Sequence, residues 1–196
     1  MWDERFSGDE YLFGTEPAEA LIRLKDRLIA RGRTLLVADG EGRNSVFLAQ
    51  QGFDVLATDN SRIGLEKARK LASDAGVAVE YRHEDIYHTD WASEAFDNVV
   101  AIFIQFVPPE KQAQIFAGLK TALRPGGVLL LHGYTPEQVT FGTGGPSNPE
   151  HMYTQQLLSD SFSDMNVTLN SSYHADISEG RGHHGRSALI DFVAVK

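Results

Sequence analysis

A three-layer α/β sandwich on a mainly parallel sheet is the fold this sequence predicts, and three observations predict it. From Thr34 onward, short apolar runs alternate with amphipathic segments, the βαβ pattern that calls for parallel strands joined by right-handed crossovers. Phe96 to Ile104 is the longest β-like run without a break and reads as a central strand buried on both faces. Near the end, runs at 166–177 and 187–195 are joined by a Gly-rich stretch and read as an antiparallel hairpin on the sheet edge.

Taken in order, the first seventeen residues carry Trp2, Phe6, Tyr11 and Phe13 among acids, with Gly8 and Gly14 as breaks. So aromatic a segment must pack on something, either as a plug at the edge of the core or as a cover over a site. Pro17 opens a helix expected to run to Ala30, with Leu21, Leu24 and Leu28 on one face. Strands follow near 34–38, 53–58 and 77–82, with helices near 43–51 and 61–75 between them. After the central strand, a helix near 110–123 ends at Arg124-Pro125-Gly126-Gly127, and a strand runs from Val128 to His132. The loop from Thr135 to Pro149 is rich in Gly, Pro, Ser and Thr, and loops of that length are usually functional or mobile. A helix near 150–160 and the hairpin complete seven strands in a single domain, residues 1–196, whose length suits one substantial core.

The chain is organised around Leu35-Leu36-Val37-Ala38-Asp39-Gly40-Glu41-Gly42-Arg43-Asn44, a buried strand, a tight turn and the start of a helix. Gly40 and Gly42 fall where the backbone must reverse or lie against a ligand. Free N–H groups of the first helical turn there suit a carboxylate or phosphate. Asp59 ends the second strand 19 residues after Gly40, close to the spacing of about 20 expected of an acid that binds ribose hydroxyls. It could equally cap the helix that begins near Ser61. Gln105 follows the central strand on the same edge of the sheet, which makes it a candidate on the substrate side. His132, His183 and His184 could serve as bases, since histidine titrates near neutrality. Neighbouring side chains in an extended segment diverge, so the His183-His184 pair in a Gly-rich turn reads as a solvated loop rather than a metal site.

At these residues the chain resembles class I S-adenosylmethionine (SAM) methyltransferases, in particular the small tellurite-resistance-type branch. Gly40-Glu41-Gly42-Arg43-Asn44 and Asp59-Asn60-Ser61 match that branch's glycine turn and acid-x-Ser. Trp2-Asp3-Glu4-Arg5-Phe6 with Tyr11-Leu12-Phe13-Gly14-Thr15-Glu16-Pro17 resembles its amino-terminal segment, and Phe141-Gly142-Thr143-Gly144-Gly145-Pro146 its long loop. Glu179-Gly180 with His183 and Gly185 resembles its carboxyl-terminal segment. The resemblance implies a Rossmann-like sheet with an antiparallel last strand and SAM as cofactor. Ala38, Asp39, Gly40, Gly42, Asn44, Asp59, Asn60 and Ser61 would then hold the cofactor, with Asp85 and Ile86 near the adenine. Residues 1–17 would form a lid in which Trp2 and Phe13 meet the cofactor. His183 and Gln105 would be the catalytic candidates, and the substrate a small molecule, a soft nucleophile such as a thiol or a selenium or tellurium species. Two positions depart from the branch: Leu36 stands where its acid is usual and Ala38 where its first glycine is usual.

Bulk properties narrow the alternatives. A formal net charge of −9 argues against a nucleic-acid partner, because neutralising phosphates needs clustered Lys and Arg. The absence of cysteine removes disulfides, thiolate metal sites and cysteine nucleophiles. No apolar run approaches the ~18 residues of a membrane span and the start lacks a secretory pattern, so a cytoplasmic monomer or homodimer without membrane contact is expected. The alternatives are a SAM-binding module that regulates a partner without catalysis, and an NAD-linked oxidoreductase. The latter would place Ser45 at its third fingerprint position, with no Tyr-Lys or His-Asp set evident downstream.

Overall fold

A computed structural model describes residues 1–93 and 95–196. In chain order the elements are α1 (Trp2–Phe6), α2 (Glu19–Leu24), β1 (Arg33–Val37), α3 (Arg43–Gln50), β2 (Asp54–Asp59), α4 (Arg62–Asp74) and β3 (Glu80–His83). They continue with β4 (Phe96–Ile102), α5 (Pro109–Ala122), β5 (Leu123–Tyr134), α6 (Gln138–Phe141), α7 (Gln155–Ser161), β6 (Asn166–Glu179) and β7 (His183–Val195). The seven strands form one sheet in the order β3-β2-β1-β4-β5-β7-β6. β1 to β5 pair in parallel, and β7 runs antiparallel to both β5 and β6. This is the Rossmann-like architecture expected from the alternating pattern.

Side-chain alternation along the strands divides the core into two layers. Leu35 and Val37 of β1 join Ile115 and Phe116 of α5 and Leu158 of α7 on one face. Leu36 faces the other way, onto Leu21 and Leu24 of α2 and Leu48 of α3. Because β1 is flanked by β2 on one side and β4 on the other, the strand order reverses between β1 and β4. Open α/β sheets bind ligands at the carboxyl edge of such a switch.

Several boundaries differ from expectation for identifiable reasons. The helix foreseen to reach Ala30 stops at Leu24 and tightens into a 3₁₀ turn at 25–27, although Leu21, Leu24 and Leu28 are all buried as foreseen. The Asn98 side chain takes the place of the next turn, accepting from Ile29 N at 2.8 Å and donating to Ile29 O at 3.0 Å. The helix expected near 150–160 splits into a 3₁₀ turn at 149–151 and α7, whose start is fixed by Thr154 Oγ1 accepting from Leu157 N. The hairpin is longer than expected. Ser178 pairs with His184 and Glu179 with His183, so only residues 180–182 connect β6 to β7.

Among the described residues, three non-glycine residues adopt a positive φ, and two of them, Ala38 (φ 52°) and Phe103 (φ 54°), sit just beyond the carboxyl ends of β1 and β4. A left-handed conformation costs an L-residue roughly 1–2 kcal/mol, and such strain gathers where a ligand edge is built. Ala38 therefore performs the turn that a glycine would make at lower cost.

Candidate functional site

A cavity of about 650 Å³ opens at the carboxyl edge of β1, β2, β4 and β5. It has two ends with different construction.

The first end is the glycine turn and the tips of β2 and β3. Asp59 at the end of β2 accepts from Gly40 N (2.8 Å) with one carboxylate oxygen and from Ser61 N (2.8 Å) with the other. Two backbone donors fix the carboxylate at the cavity wall, and each oxygen keeps a lone pair for a further donor. Burial pushes the Asp59 pKa up, while the N–H groups of Ser61 and Gly40 oppose the shift. Ala38, Asp39, Gly40, Asn44, Asn60, Asp85 and Ile86 line the same cavity. Asn44 also accepts from Ala18 N at 2.9 Å, tying the start of α3 to the segment before α2. The Asp39 carboxylate is buried and makes no well-aligned hydrogen bond, with Ser45 its nearest donor. The Ser45 hydroxyl lies 3.0 Å from the Gly42 carbonyl, to which it donates. Burial, with the nearby Asp59 charge adding to it and Ser45 and Arg43 opposing, raises the Asp39 pKa to about 7.

Two residues assigned to the cofactor by the sequence are placed elsewhere. Gly42 (φ 92°) does not line the cavity, and a Cβ on it would lie 2.7 Å from Ala68 Cβ. Its lack of a side chain serves the close approach of α3 and α4. Ser61 lies outside the cavity too, as the N-cap of α4 that accepts from Gly64 N at 2.9 Å. Asp3 accepts from the Ser61 hydroxyl at 2.6 Å and from Ile63 N at 3.2 Å, so α1 is moored on the start of α4.

That mooring lays the amino-terminal segment over the cavity. Phe6 is 2% exposed and packs 3.3 Å from the position of a Gly40 Cβ. Trp2 stacks on Phe6 (5.5 Å between centroids) and meets Phe106 edge-on. Leu12 is held on both sides: its N–H donates to Glu41 Oε2 at 2.8 Å, and its carbonyl accepts from Arg181 N and Gly182 N. Glu41, from the middle of the glycine turn, also pairs with Lys67 at 2.8 Å.

The second end is an aromatic box around His183. Its ring is stacked between Phe13 (4.6 Å, 18°) and Phe103 (4.1 Å, 21°), and its Nδ1 is 2.6 Å from the Tyr134 hydroxyl. The solvated-loop expectation is corrected for His183, which is buried because the β6–β7 ladder extends to it, whereas His184 is exposed. Burial, with the charges of Arg43, His132 and Arg5 adding to it, lowers the His183 pKa to about 3. The ring is therefore neutral throughout the physiological range. Burial raises the Tyr134 phenol well above its ordinary value. Gln105 borders the cavity, and its amide holds the Tyr134 backbone, donating to Tyr134 O (2.7 Å) and accepting from Tyr134 N (2.6 Å). Gln105 thereby positions the β5 terminus that carries Tyr134.

Sequence reasoning gave no separate role to Arg43, Phe103, Tyr134 or Glu179. Arg43 and Glu179, which both lie within the matched motifs, form a buried ion pair at 2.8 Å. A His-Asp pair also exists, His132 Nδ1 to Asp191 Oδ1 at 2.7 Å, formed because the two residues face each other across β5 and β7. Registration across an antiparallel pair 59 residues apart leaves no trace in linear spacing.

Comparison with known proteins agrees with this geometry. Residues 35–127 match the model of a methyltransferase domain. The chain is 30% identical over 106 residues to an uncharacterized protein of Mycobacterium tuberculosis, which covers 54% of this chain and 38% of that protein. It is 32% identical over 89 residues to the carboxy-S-adenosyl-L-methionine synthase of Geobacter sp. strain M21, 43% of this chain and 35% of that one. The chain thus spans well under half the length of these curated relatives. Among solved structures, one from work on conversion of a disulfide bond into a thioacetal group during echinomycin biosynthesis superposes with a TM-score of 0.79 at 18% identity. It covers 99% of this chain and 87% of its own. Magnesium protoporphyrin IX methyltransferase from Synechocystis with bound SAM superposes with a TM-score of 0.67 at 14% identity over 90% and 76% of the two chains. The fold is that of the class I SAM-dependent methyltransferases, and residues 35–127 are similar to a methyltransferase domain.

Proposed function

We propose that this chain is a SAM-dependent methyltransferase acting on a small soft nucleophile, a thiol or a selenium or tellurium species, as in the tellurite-resistance-type branch. The observation that carries the reading is that one cavity joins a rigidly held acid at a glycine turn to an aromatic box around a neutral histidine.

The residues fit the cofactor. Asp59 offers a fixed carboxylate to a ribose diol, Asn60 lies beside it, Asp85 and Ile86 border the adenine end, and the left-handed turn at Ala38 and Gly40 brings bare backbone to the wall. When bound, SAM supplies a methyl group on a sulfonium that is already a good leaving group. The chain's part is to align the acceptor and exclude water. Trp2, Phe6 and Phe13 cover the cavity, so residues 1–17 act as a lid. His183 is a poor proton acceptor at pH 7, with Nδ1 engaged by Tyr134 and its pKa lowered to about 3. Such a site suits a nucleophile that needs little help losing a proton, such as a thiolate or selenide.

Titration calorimetry with S-adenosylhomocysteine, followed by turnover of SAM with a panel of small thiols, tests the proposal. Asp59→Ala should weaken binding by about 1.5–3 kcal/mol through loss of charge-assisted hydrogen bonds. Equal affinity in the two proteins would refute the assignment, and tight binding without turnover of any acceptor would favour a regulatory module. For the lid, hydrogen exchange across residues 1–17 should slow when S-adenosylhomocysteine is added. Exchange already fully protected in the free protein, and unchanged by ligand, would make the segment core packing instead.

A further inference from the structure

The chain as a whole is acidic, yet two arginines, Arg43 and Arg5, line the cavity that holds His183. Arg43 is 7% exposed and pairs with Glu179 through Nη2, while its Nη1 is buried without a hydrogen-bond partner. Its carboxylate partner is shared, because Glu179 also accepts from Glu19 N at 3.1 Å. Arg5 lines the same cavity from α1, its guanidinium 4.6 Å over the Trp2 ring, and has no carboxylate partner among the described residues. The charges of both arginines are felt at His183, where they oppose its protonation. The opposite end carries Asp59, Glu84 and Asp85. Carboxylates thus gather where a ribose and adenine would lie, and the two arginines gather beside the aromatic box. A buried guanidinium N–H without an acceptor is costly, and guanidinium groups suit carboxylates and other oxyanions through their planar fork.

We propose that the methyl acceptor carries an anionic group, a carboxylate or comparable oxyanion, beside its nucleophilic atom, and that Arg43 from the floor and Arg5 from the lid hold that group. The proposal rests on the methyltransferase reading and narrows its substrate class. Arg43 supplies the unused buried donor. Arg5, stacked on Trp2, belongs to the segment that closes the cavity, so an anionic acceptor would also favour the closed lid. A neutral thiol of the same size would leave the buried Arg43 Nη1 without an acceptor.

The cofactor's own carboxylate has the same chemistry as the proposed group, so the experiment separates the two sources. Protein saturated with S-adenosylhomocysteine is titrated with 3-mercaptopropionate and with 2-mercaptoethanol, which lacks the carboxylate. The acid should bind about 10-fold more tightly or better, and Arg5→Gln and Arg43→Gln should each erase most of that preference. If Arg43→Gln does not fold because Glu179 is left buried and unpaired, Arg43→Gln with Glu179→Gln provides a neutral pair for the same measurement. Equal binding of the two thiols to the loaded wild-type protein would overturn the proposal. It would also be overturned if Arg43→Gln weakened S-adenosylhomocysteine while leaving 5′-methylthioadenosine, which has no carboxylate, and 3-mercaptopropionate unchanged. Arg43 would then serve the cofactor. Failure of S-adenosylhomocysteine to bind would instead overturn the methyltransferase reading, and the anion subsite would still be read from 3-mercaptopropionate binding to the free protein and its loss in Arg43→Gln.

Discussion

The two ends of the cavity are built in opposite ways. At the glycine-turn end, the groups come from residues 38 to 86, and their positions follow from the course of the backbone: a turn, a strand end and two N–H groups on one carboxylate. At the histidine end, Phe13, Arg43, Phe103, Tyr134, Glu179 and His183 come from separate parts of the chain and are held by ring stacking and a buried ion pair. The first construction offers a fixed cradle for a ligand of constant shape. The second depends on side-chain packing, which substitution can remodel without disturbing the sheet, and it is where acceptor preference would be set.

That contrast can be broken most forcefully at the ion pair. Glu179→Ala leaves the Arg43 guanidinium buried and uncompensated and deprives Glu19 N of its acceptor, so stability should fall by about 3–5 kcal/mol in denaturant unfolding. A loss below about 1 kcal/mol would mean that the histidine end is far wetter than its burial implies.

The two ends should also answer pH in opposite directions. His183 has a folded pKa of about 3 against an ordinary 6.5, so the unfolded chain takes up its proton first on acidification. Its contribution is complete above about pH 6.5 and is lost as pH falls through 3, by about 4–5 kcal/mol. His183→Phe, which keeps the stack, should flatten that part of the acid limb relative to wild type. Asp39 behaves in reverse. Its folded pKa is raised to about 7 from 3.8, so the folded state holds the proton and loses stability as pH rises from about 4 through 7. Asp39→Asn should therefore raise stability by about 4 kcal/mol at pH 8 and change little at pH 4, read as the difference in melting temperature. Parallel pH responses in the two variants would erase the distinction between the ends.

The smallest effect sharpens the comparison at one backbone position. Ala38→Gly relieves a left-handed alanine but enlarges the unfolded ensemble, for a net gain of about 0.5 kcal/mol by thermal unfolding. A clear loss of stability would show that the turn does not feel the strain its φ implies.

The same division explains what could be read from the sequence. The sheet, its parallel core and its antiparallel end were legible because apolar periodicity and glycine breaks are local signals. Asp59 was legible because the distance from Gly40 to the end of the next strand is fixed by one helix and one strand. The packing role of Gly42 was not legible, because a glycine that admits a ligand and a glycine that admits a neighbouring helix look alike in a string of letters, and only Ala68 lying beneath it reveals the second. The positioning role of Gln105 was not legible, because its two hydrogen bonds go to the backbone of Tyr134, a partner without a side-chain signature. The aromatic box was invisible because its rings meet only after β7 has taken its place beside β5.

That placement has a consequence for assembly on the ribosome. β6 is made before β7 but lies outside it, so β6 has no strand to pair with until β7 has entered between it and β5. Domains take shape as they emerge at about 5–20 residues per second, so the parallel half, with its glycine turn and Asp59, can form while the hairpin is still being synthesised. The histidine end can form only when the hairpin docks, and only then can Leu12, synthesised early, find Arg181 and Gly182 and draw the amino-terminal segment across the cavity. A nascent chain would thus complete the glycine-turn end of the cavity before it could enclose the histidine end.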